Sequence, residues 1–361
     1  MPRQLLARRL ALLLFLFASG ASAQPATLDV AVERARAIAD SAARGLPGMA
    51  IAVSVDGATV WSEGFGLADL EQRVPVTTET RFRIASVSKP MTAVAVAQLV
   101  EAGALDVDAP VQTYVPAFPE KRWAVTTRAL GGHLAGIRHY QGDEYFLARP
   151  FGSVGEALTV FSADTLMYAP GTAYAYSSYG WNLISAVVEG ASGEPFLNYM
   201  ERRVFAPLGM AHTAADQPSA LIPNRARPYE RQGEAFANAP YVDNSVKWAG
   251  GGFLSTPEDL LRLGAYVTAD TLGTRSRALL FTEQTTASGE GVSYGFGWAL
   301  GTDARGRDVV SHSGGAVGGT SLLWVVPEAG VVVAAAMNLT GADLAWVREI
   351  AAVIADAADA D

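Results

Sequence analysis

Apolar residues recur at the helical period near the start of the chain. Leu28, Val32, Ala35, Ile38, Ala39 and Ala42 mark one helix face, and Gly45 and Pro47 stop the helix, placing it at Leu28 to Arg44. Met49 to Val55 reads as a strand, Asp56-Gly57 as a tight turn and Thr59 to Phe65 as the returning strand. Thr80 to Ile84 is another extended run. Met91 to Ala102 is apolar on most faces and reads as a buried helix ended by Gly103. From Val111 to about Ala287 the pattern is helices and irregular loops. The helices are expected at Gly155 to Ala163, Gly180 to Ala191, Pro195 to Val204 and Pro257 to Val267. Strand signals return at Tyr294 to Leu300, Asp308 to Ser311, Ser321 to Val326 and Val331 to Met337. Pro327 to Gly330 turns the last pair, and Asp343 to Ala355 closes as a helix.

Strands at both ends around a helical middle predict an α+β fold. One antiparallel sheet forms from both chain ends, about 24–110 and 288–361, with the first and last helices on one face. The middle, about 111–287, forms an inserted, mostly helical lobe. Clefts form at such seams, and the most informative stretch of the chain falls there.

That stretch is Ala85-Ser86-Val87-Ser88-Lys89-Pro90, between a strand-like and a helix-like run. Residues three apart on a helix share a face, with Cβ atoms about 5–6 Å apart. A serine hydroxyl needs a base to become a nucleophile. A lysine can be that base if burial lowers its pKa, which arginine cannot do. Only three lysines occur, Lys89, Lys121 and Lys247, and one follows a serine at this spacing. The simpler reading is an N-cap serine, with Ser88 an equal candidate, beside an unrelated surface lysine.

Half the residues are hydrophobic and 17% are charged, enough for a sizeable core. Residues 1–23 read as a signal peptide: Arg3, Arg8 and Arg9 precede the apolar run Leu10 to Ala18, and Ala21-Ser22-Ala23 is a cleavage signal before Gln24. Cleavage removes three arginines and no acid, taking the net charge from −9 to −12. That argues against nucleic acid and anionic membranes as partners. The absence of cysteine excludes disulfides, thiolate nucleophiles and cysteine-bound metals. An export signal without disulfides fits a bacterial periplasm or the medium.

Other segments carry chemistry at the residue level. Tyr176, in Ala175-Tyr176-Ser177-Ser178, could be a base if neighbouring cations lowered its pKa, or a packed aromatic beside Tyr174 and Tyr179. His312-Ser313-Gly314-Gly315 could offer a substrate close backbone approach, with the Gly315 N–H facing an oxyanion, or be a glycine-rich hairpin. His133 and His139 have no metal-ligand spacing, and no metal is expected. Gly291-Val292-Ser293-Tyr294-Gly295 matches a nucleophile elbow, but a loop precedes it and a strand-like run follows, where an elbow needs a helix.

In order, Ser86-x-x-Lys89, Tyr176-Ser177-Ser178 and His312-Ser313-Gly314 resemble the motifs of the serine β-lactamase and penicillin-binding-protein superfamily. The resemblance covers nearly all of the mature chain. It is strongest to the class C β-lactamase-like serine hydrolases, peptidase family S12, and especially to the LACTB-type proteins. Further matching stretches are His133 to Tyr140, Tyr241 to Ser245, Trp248 to Thr256 and His312 to Gly319. The resemblance implies a β-lactamase/transpeptidase-like fold and catalysis through an acyl-enzyme without a cofactor. Ser86 would be the nucleophile, and Lys89 would shuttle its proton. Tyr176 would act as base in acylation and activate water in deacylation. The N–H groups of Ser86 and Gly315 would form the oxyanion hole. Ser178, His312, Ser313 and Gly314 would line the substrate side. Two positions depart from the common pattern: Ser178 stands where asparagine is frequent, and His312 where lysine is frequent.

The reading is therefore a periplasmic or secreted hydrolase of an amide or ester. A peptide is the first choice of substrate, small esters come second and β-lactams third. A histidine in place of the third-motif lysine is mostly neutral above about pH 6.5 and would offer a cation to a β-lactam carboxylate only in acid. The alternative from another class is a binding or scaffold protein that keeps the fold without catalysis. Oligomeric state is left open.

Overall fold

The computed structural model describes residues 27–269 and 272–360. The expected signal peptide lies outside the described residues. Helix α1, Leu28–Ala43, leads into strands β1, Gly48–Val55, β2, Ala58–Asp69, and the short β3, Val74–Pro75. Helix α2, Ser88–Glu101, follows, and the middle of the chain contributes α3, Ser178–Ser192, and α4, Pro257–Thr268. Strands β4, Ala299–Thr302, β5, Asp308–Ala316, β6, Gly319–Val326, and β7, Val331–Met337, precede the final helix α5, Ala345–Ala358.

The seven strands form one antiparallel sheet in the order β3-β2-β1-β7-β6-β5-β4. Its keystone is the β1–β7 ladder, Met49 opposite Met337 through Val55 opposite Val331, which joins the two chain ends as the strand order implies. Every residue of β7 is buried. Period-two alternation explains this. Val331, Val333, Ala335 and Met337 pack with α1 and α5, while Val332 and Ala334 join the larger core on the opposite face.

That opposite face is covered by α4, from the stretch expected to belong to the helical lobe. Gly264 lies directly over Val332, where any side chain would collide with the valine methyls. Two expected strands are much shorter. Of Thr80 to Ile84 only Phe82–Arg83 forms a strand, and it pairs with Phe253–Ser255 instead of the main sheet. Of Tyr294 to Leu300 only the last two residues enter β4. Gly295 is pressed against the Leu280 carbonyl, and Gly297, at φ +80°, lies against the Lys89 carbonyl, so the chain bends where a strand would run straight.

One buried ionic cluster sets the segment before Ser86 against the rest. Asp216, 1% exposed, accepts from Arg83 Nε and from Asn244 Nδ2, both at 2.7 Å. Arg83 Nη1 donates to the Val317 carbonyl at 2.8 Å. Asp216 thus ties the strand entering the Ser86 turn to the 3₁₀ turn Asn244–Lys247, and through Arg83 to the β5–β6 turn. Removing one partner of a buried pair leaves the other charge uncompensated. Asp216→Ala should lower unfolding free energy by about 3–5 kcal/mol, read from urea denaturation. A loss under about 1 kcal/mol would mean that the cluster behaves like a surface pair.

Candidate active site

Ser86 sits in a 3₁₀ turn, Ala85–Val87, that runs directly into α2. The chain enters through Ala85 at φ +49°, a left-handed conformation costing a non-glycine residue on the order of 1 kcal/mol. Ala85 is buried and pressed between Gly251 and Gly314. A side chain at Gly314 would strike the Ile84 carbonyl and Ser321 Oγ, so the missing Cβ is what lets β5 lie against this turn. Neither serine caps the helix. The cap position is Val87, and Ser88 Oγ instead accepts the Phe253 N–H at 3.4 Å.

Lys89 has no exposed surface. Its Nζ lies 3.0 Å from Ser86 Oγ, 3.3 Å from Ser178 Oγ and 2.6 Å from the Gly250 carbonyl. None of these partners is an acid. Burial drives the Lys89 pKa well below the ordinary lysine value, and the charge of Lys247 adds to the effect. A neutral amine suits this shell. Once the amine is neutral, two N–H groups can serve Gly250 O and Ser178 Oγ while the lone pair faces the Ser86 hydroxyl.

Tyr176 stands beside this pair, with Lys89 Nζ 4.8 Å from its ring centre. The expected lowering by cations is reversed. Burial pushes the phenol up, by more than its interaction with the Ser86 hydroxyl brings it down. Tyr176 therefore rests as the neutral phenol, beside an amine whose protonation burial disfavours.

The open space beside Ser86 is a cavity of about 140 Å³ bordered by Tyr176, Ser178, Lys247, Gly250 and Gly315, among others. Gly315 is exposed there, with nothing near the position of a Cβ. Three expected substrate-side residues do not border it. Gly314 is buried under Ile84. Ser313 is exposed on the strand but outside the cavity lining. His312 is 5% exposed and lies behind Tyr176. Its Nδ1 faces the Ser313 carbonyl at 2.7 Å and so carries the hydrogen, leaving Nε2 to accept from Tyr294 Oη at 2.8 Å. Both ring nitrogens are spent. Burial, then the nearby Lys89, push its pKa down to about 3, so no imidazolium forms near pH 6.

Ser293 stands apart. It has φ +51° and borders a different cavity of about 540 Å³ with Glu283 and Phe281. No helix follows it, so the elbow geometry is absent.

Lys247 received no role from the sequence. It is buried, faces Tyr140 and Tyr145 with Nζ 5.3 and 5.1 Å from their ring centres, and is pushed down to about 8 by burial and then by Arg83. The signal was there: a rare lysine between two large apolar residues, Val246 and Trp248. Among the described residues no group of His, Asp and Glu is placed to hold a metal.

The beta-lactamase family model matches residues 34–356. The human serine beta-lactamase-like protein LACTB, mitochondrial, is 36% identical over 382 residues, covering 79% of this chain and 69% of that protein. A D-aminopeptidase of Gluconobacter oxydans is 28% identical, covering 85% of this chain and 59% of its own length. Among solved structures, the octameric penicillin-binding protein homologue from Pyrococcus abyssi superposes with a TM-score of 0.74 at 26% identity. It covers 89% of this chain and 75% of the homologue.

The buried imidazoles make a prediction about stability. His133 is held well below its ordinary pKa, His139 near 4 and His312 near 3, chiefly by burial. The unfolded chain takes up these protons near pH 6.5, so between about pH 6.5 and 4 it binds more protons than the folded one. Stability is full above that window and falls as pH drops through it, by up to about 1.4 kcal/mol per pH unit for each ring that stays neutral. Thermal melts from pH 8 to 4.5 should show the decline, and His312→Gln should flatten it. A melting temperature that holds steady or rises on acidification would contradict the assignment.

Proposed function

The chain belongs to the beta-lactamase family of serine hydrolases, and from that premise we propose that it hydrolyses an amide or ester, a peptide in the first instance, through an acyl-enzyme on Ser86. The observation that carries the reading is the dehydrated Lys89 amine 3.0 Å from the Ser86 hydroxyl. A buried lysine without an acidic partner is costly and serves no purpose in a scaffold or binding module.

In this reading Lys89 takes the Ser86 proton as Oγ attacks the carbonyl carbon. The oxyanion is received by the N–H groups of Ser86 and Gly315, both bordering the cavity. The resulting ammonium returns its proton to the leaving group through the Tyr176 hydroxyl, which gives one proton as it accepts another. Water then attacks the ester, with the same relay run in reverse. Ser178 holds Lys89 in place. The base role expected of Tyr176 passes to Lys89, because the phenol is held neutral.

A cavity of about 140 Å³ favours a small acyl portion, which makes small esters the second reading. β-Lactams come third, since His312 offers no free N–H and no charge. The proposed location is the periplasm or medium, supported by the Arg3 to Ala23 pattern. The human relative's name assigns that protein to mitochondria. No described helix is long and apolar enough to cross a membrane.

Tandem mass spectrometry of protein purified from an expressing bacterium and treated with a fluorophosphonate tests two of these points. The adduct should fall on Ser86, and the mature chain should start at Gln24. Lys89→Arg should label at least a hundredfold more slowly, given that loss of a catalytic base typically costs about 10²–10⁴. An adduct on Ser293 with Ser86 untouched would refute the nucleophile.

The His312 environment yields a separate expectation. Nitrocefin should be turned over with a kcat/KM at least tenfold below that of p-nitrophenyl acetate, the order of magnitude one lost charged hydrogen bond implies. The deficit should persist down to pH 5, because His312 does not charge there. Recovery of nitrocefin turnover between pH 7 and 5 would show that the imidazole does titrate and reach substrate.

A further inference from the structure

The segment carrying Tyr176 and Ser178 has no regular structure until α3 begins, yet its backbone is pinned twice. The Ser177 N–H donates to His133 Nδ1 at 3.0 Å, and the Ser178 N–H donates to His139 Nδ1 at 3.2 Å. A ring nitrogen that accepts a backbone N–H carries no hydrogen, so geometry fixes both imidazoles as the neutral Nε2–H tautomer. The His133 ring also packs on the Tyr176 ring, with centroids 4.2 Å apart, and the His139 ring meets its edge at 5.7 Å. Ser177 completes the attachment by donating from Oγ to the Arg138 carbonyl at 2.7 Å, between the two histidines.

We propose that His133 and His139 are positioning residues that act together as a two-point clamp, setting the Tyr176 hydroxyl and Ser178 Oγ against the Lys89–Ser86 pair. The inference rests on the reading of Ser86, Lys89 and Tyr176 given above. The histidines are six positions apart, which on a helix would leave them about 120° apart around the axis. The turn between them, with Gly136 at φ +73°, brings both rings to consecutive amides of the other segment.

Protonating Nδ1 would turn each acceptor into a donor facing an N–H, so the clamp works only while both rings are neutral. The groups around them keep it so. Burial is the main cause, and a proton on Lys89 from α2, on His312 from β5 or on His139 would further oppose a charge on His133, whose other ionisable neighbours are Tyr174, Tyr176 and Tyr294. Burial likewise comes first for His139, and Lys247, or a proton on Lys89, adds to it; the ring otherwise meets Tyr140 and Tyr176. No carboxylate is among these neighbours.

The test compares asparagine with alanine. Asparagine Oδ1 can stand in for Nδ1 as acceptor, whereas alanine cannot. His139→Ala should lower kcat for p-nitrophenyl acetate roughly ten- to a hundredfold with little change in KM, the scale of a displacement of about 1 Å in a catalytic group. His139→Asn should recover most of that loss. His133 should behave alike, with a larger cost in stability. Independently of activity, ¹⁵N spectra of the wild type at pH 7 should show both Nδ1 atoms as pyridine-type. A protonated Nδ1 on either ring would overturn the clamp. So would folded alanine variants with wild-type kcat, or asparagine variants no better than alanine. Failure of the underlying reading is distinguishable, because it appears in the wild type as the absence of a Ser86 adduct.

Discussion

The withdrawal of Lys89 from water is the constraint from which the rest of this structure follows. A lysine with no exposed surface and no carboxylate beside it must be met by neutral groups that accept or donate modestly, and Ser86, Ser178 and Gly250 provide these. They come from three distant parts of the chain, so the surrounding elements must converge to small tolerances. Glycines mark where they do. Gly297 lets the chain pass against the Lys89 carbonyl, and Gly314 lets β5 close on Ala85. Charge is organised around the same point. Burial, and after it the charge of Lys247, disfavours protonation of Lys89, and the imidazoles nearby are all held neutral.

Strain and rigidity meet at Ala85. Its left-handed backbone persists because the surroundings over-determine it. Ile84 accepts from Ser321 Oγ at 2.6 Å, Phe82 and Arg83 pair with Phe253–Ser255, and Arg83 is locked by Asp216. The Ser86 hydroxyl is thus held at a helix entry on a segment with little freedom to relax, which suits the nucleophilic role proposed for it.

Much of this was legible from the residues. The sheet's closure was readable because β7 is a short, unbroken, β-branched-rich apolar run and β1 nearly so, the pattern of a strand covered on both faces. The Ser86–Lys89 pair was readable because its geometry is local, three residues on a helix. What escaped depends on tertiary approach. The glycines that cut short the Tyr294 strand look the same in sequence as tolerated ones. His312 looks available until Tyr294 is seen to occupy it. His133 and His139 have no recognisable spacing because the atoms they hold belong to another segment. The direction of the Tyr176 shift also could not be read, since burial and a neighbouring cation act oppositely and only packing decides which prevails.

The β1–β7 ladder has a consequence for how the protein comes to exist. Its two strands lie at opposite ends of the sequence, and the cavity gathers Ser86, Ser178, Gly250 and Gly315 from nearly the full length between them. A ribosome that has finished the Ser86 segment has made a serine and a lysine in water, where the lysine is charged and the serine inert. The cavity beside Ser86 is therefore incomplete in every translation product that stops short of Gly315. Such non-local pairings form slowly, so the cavity is among the last parts of the molecule to be assembled.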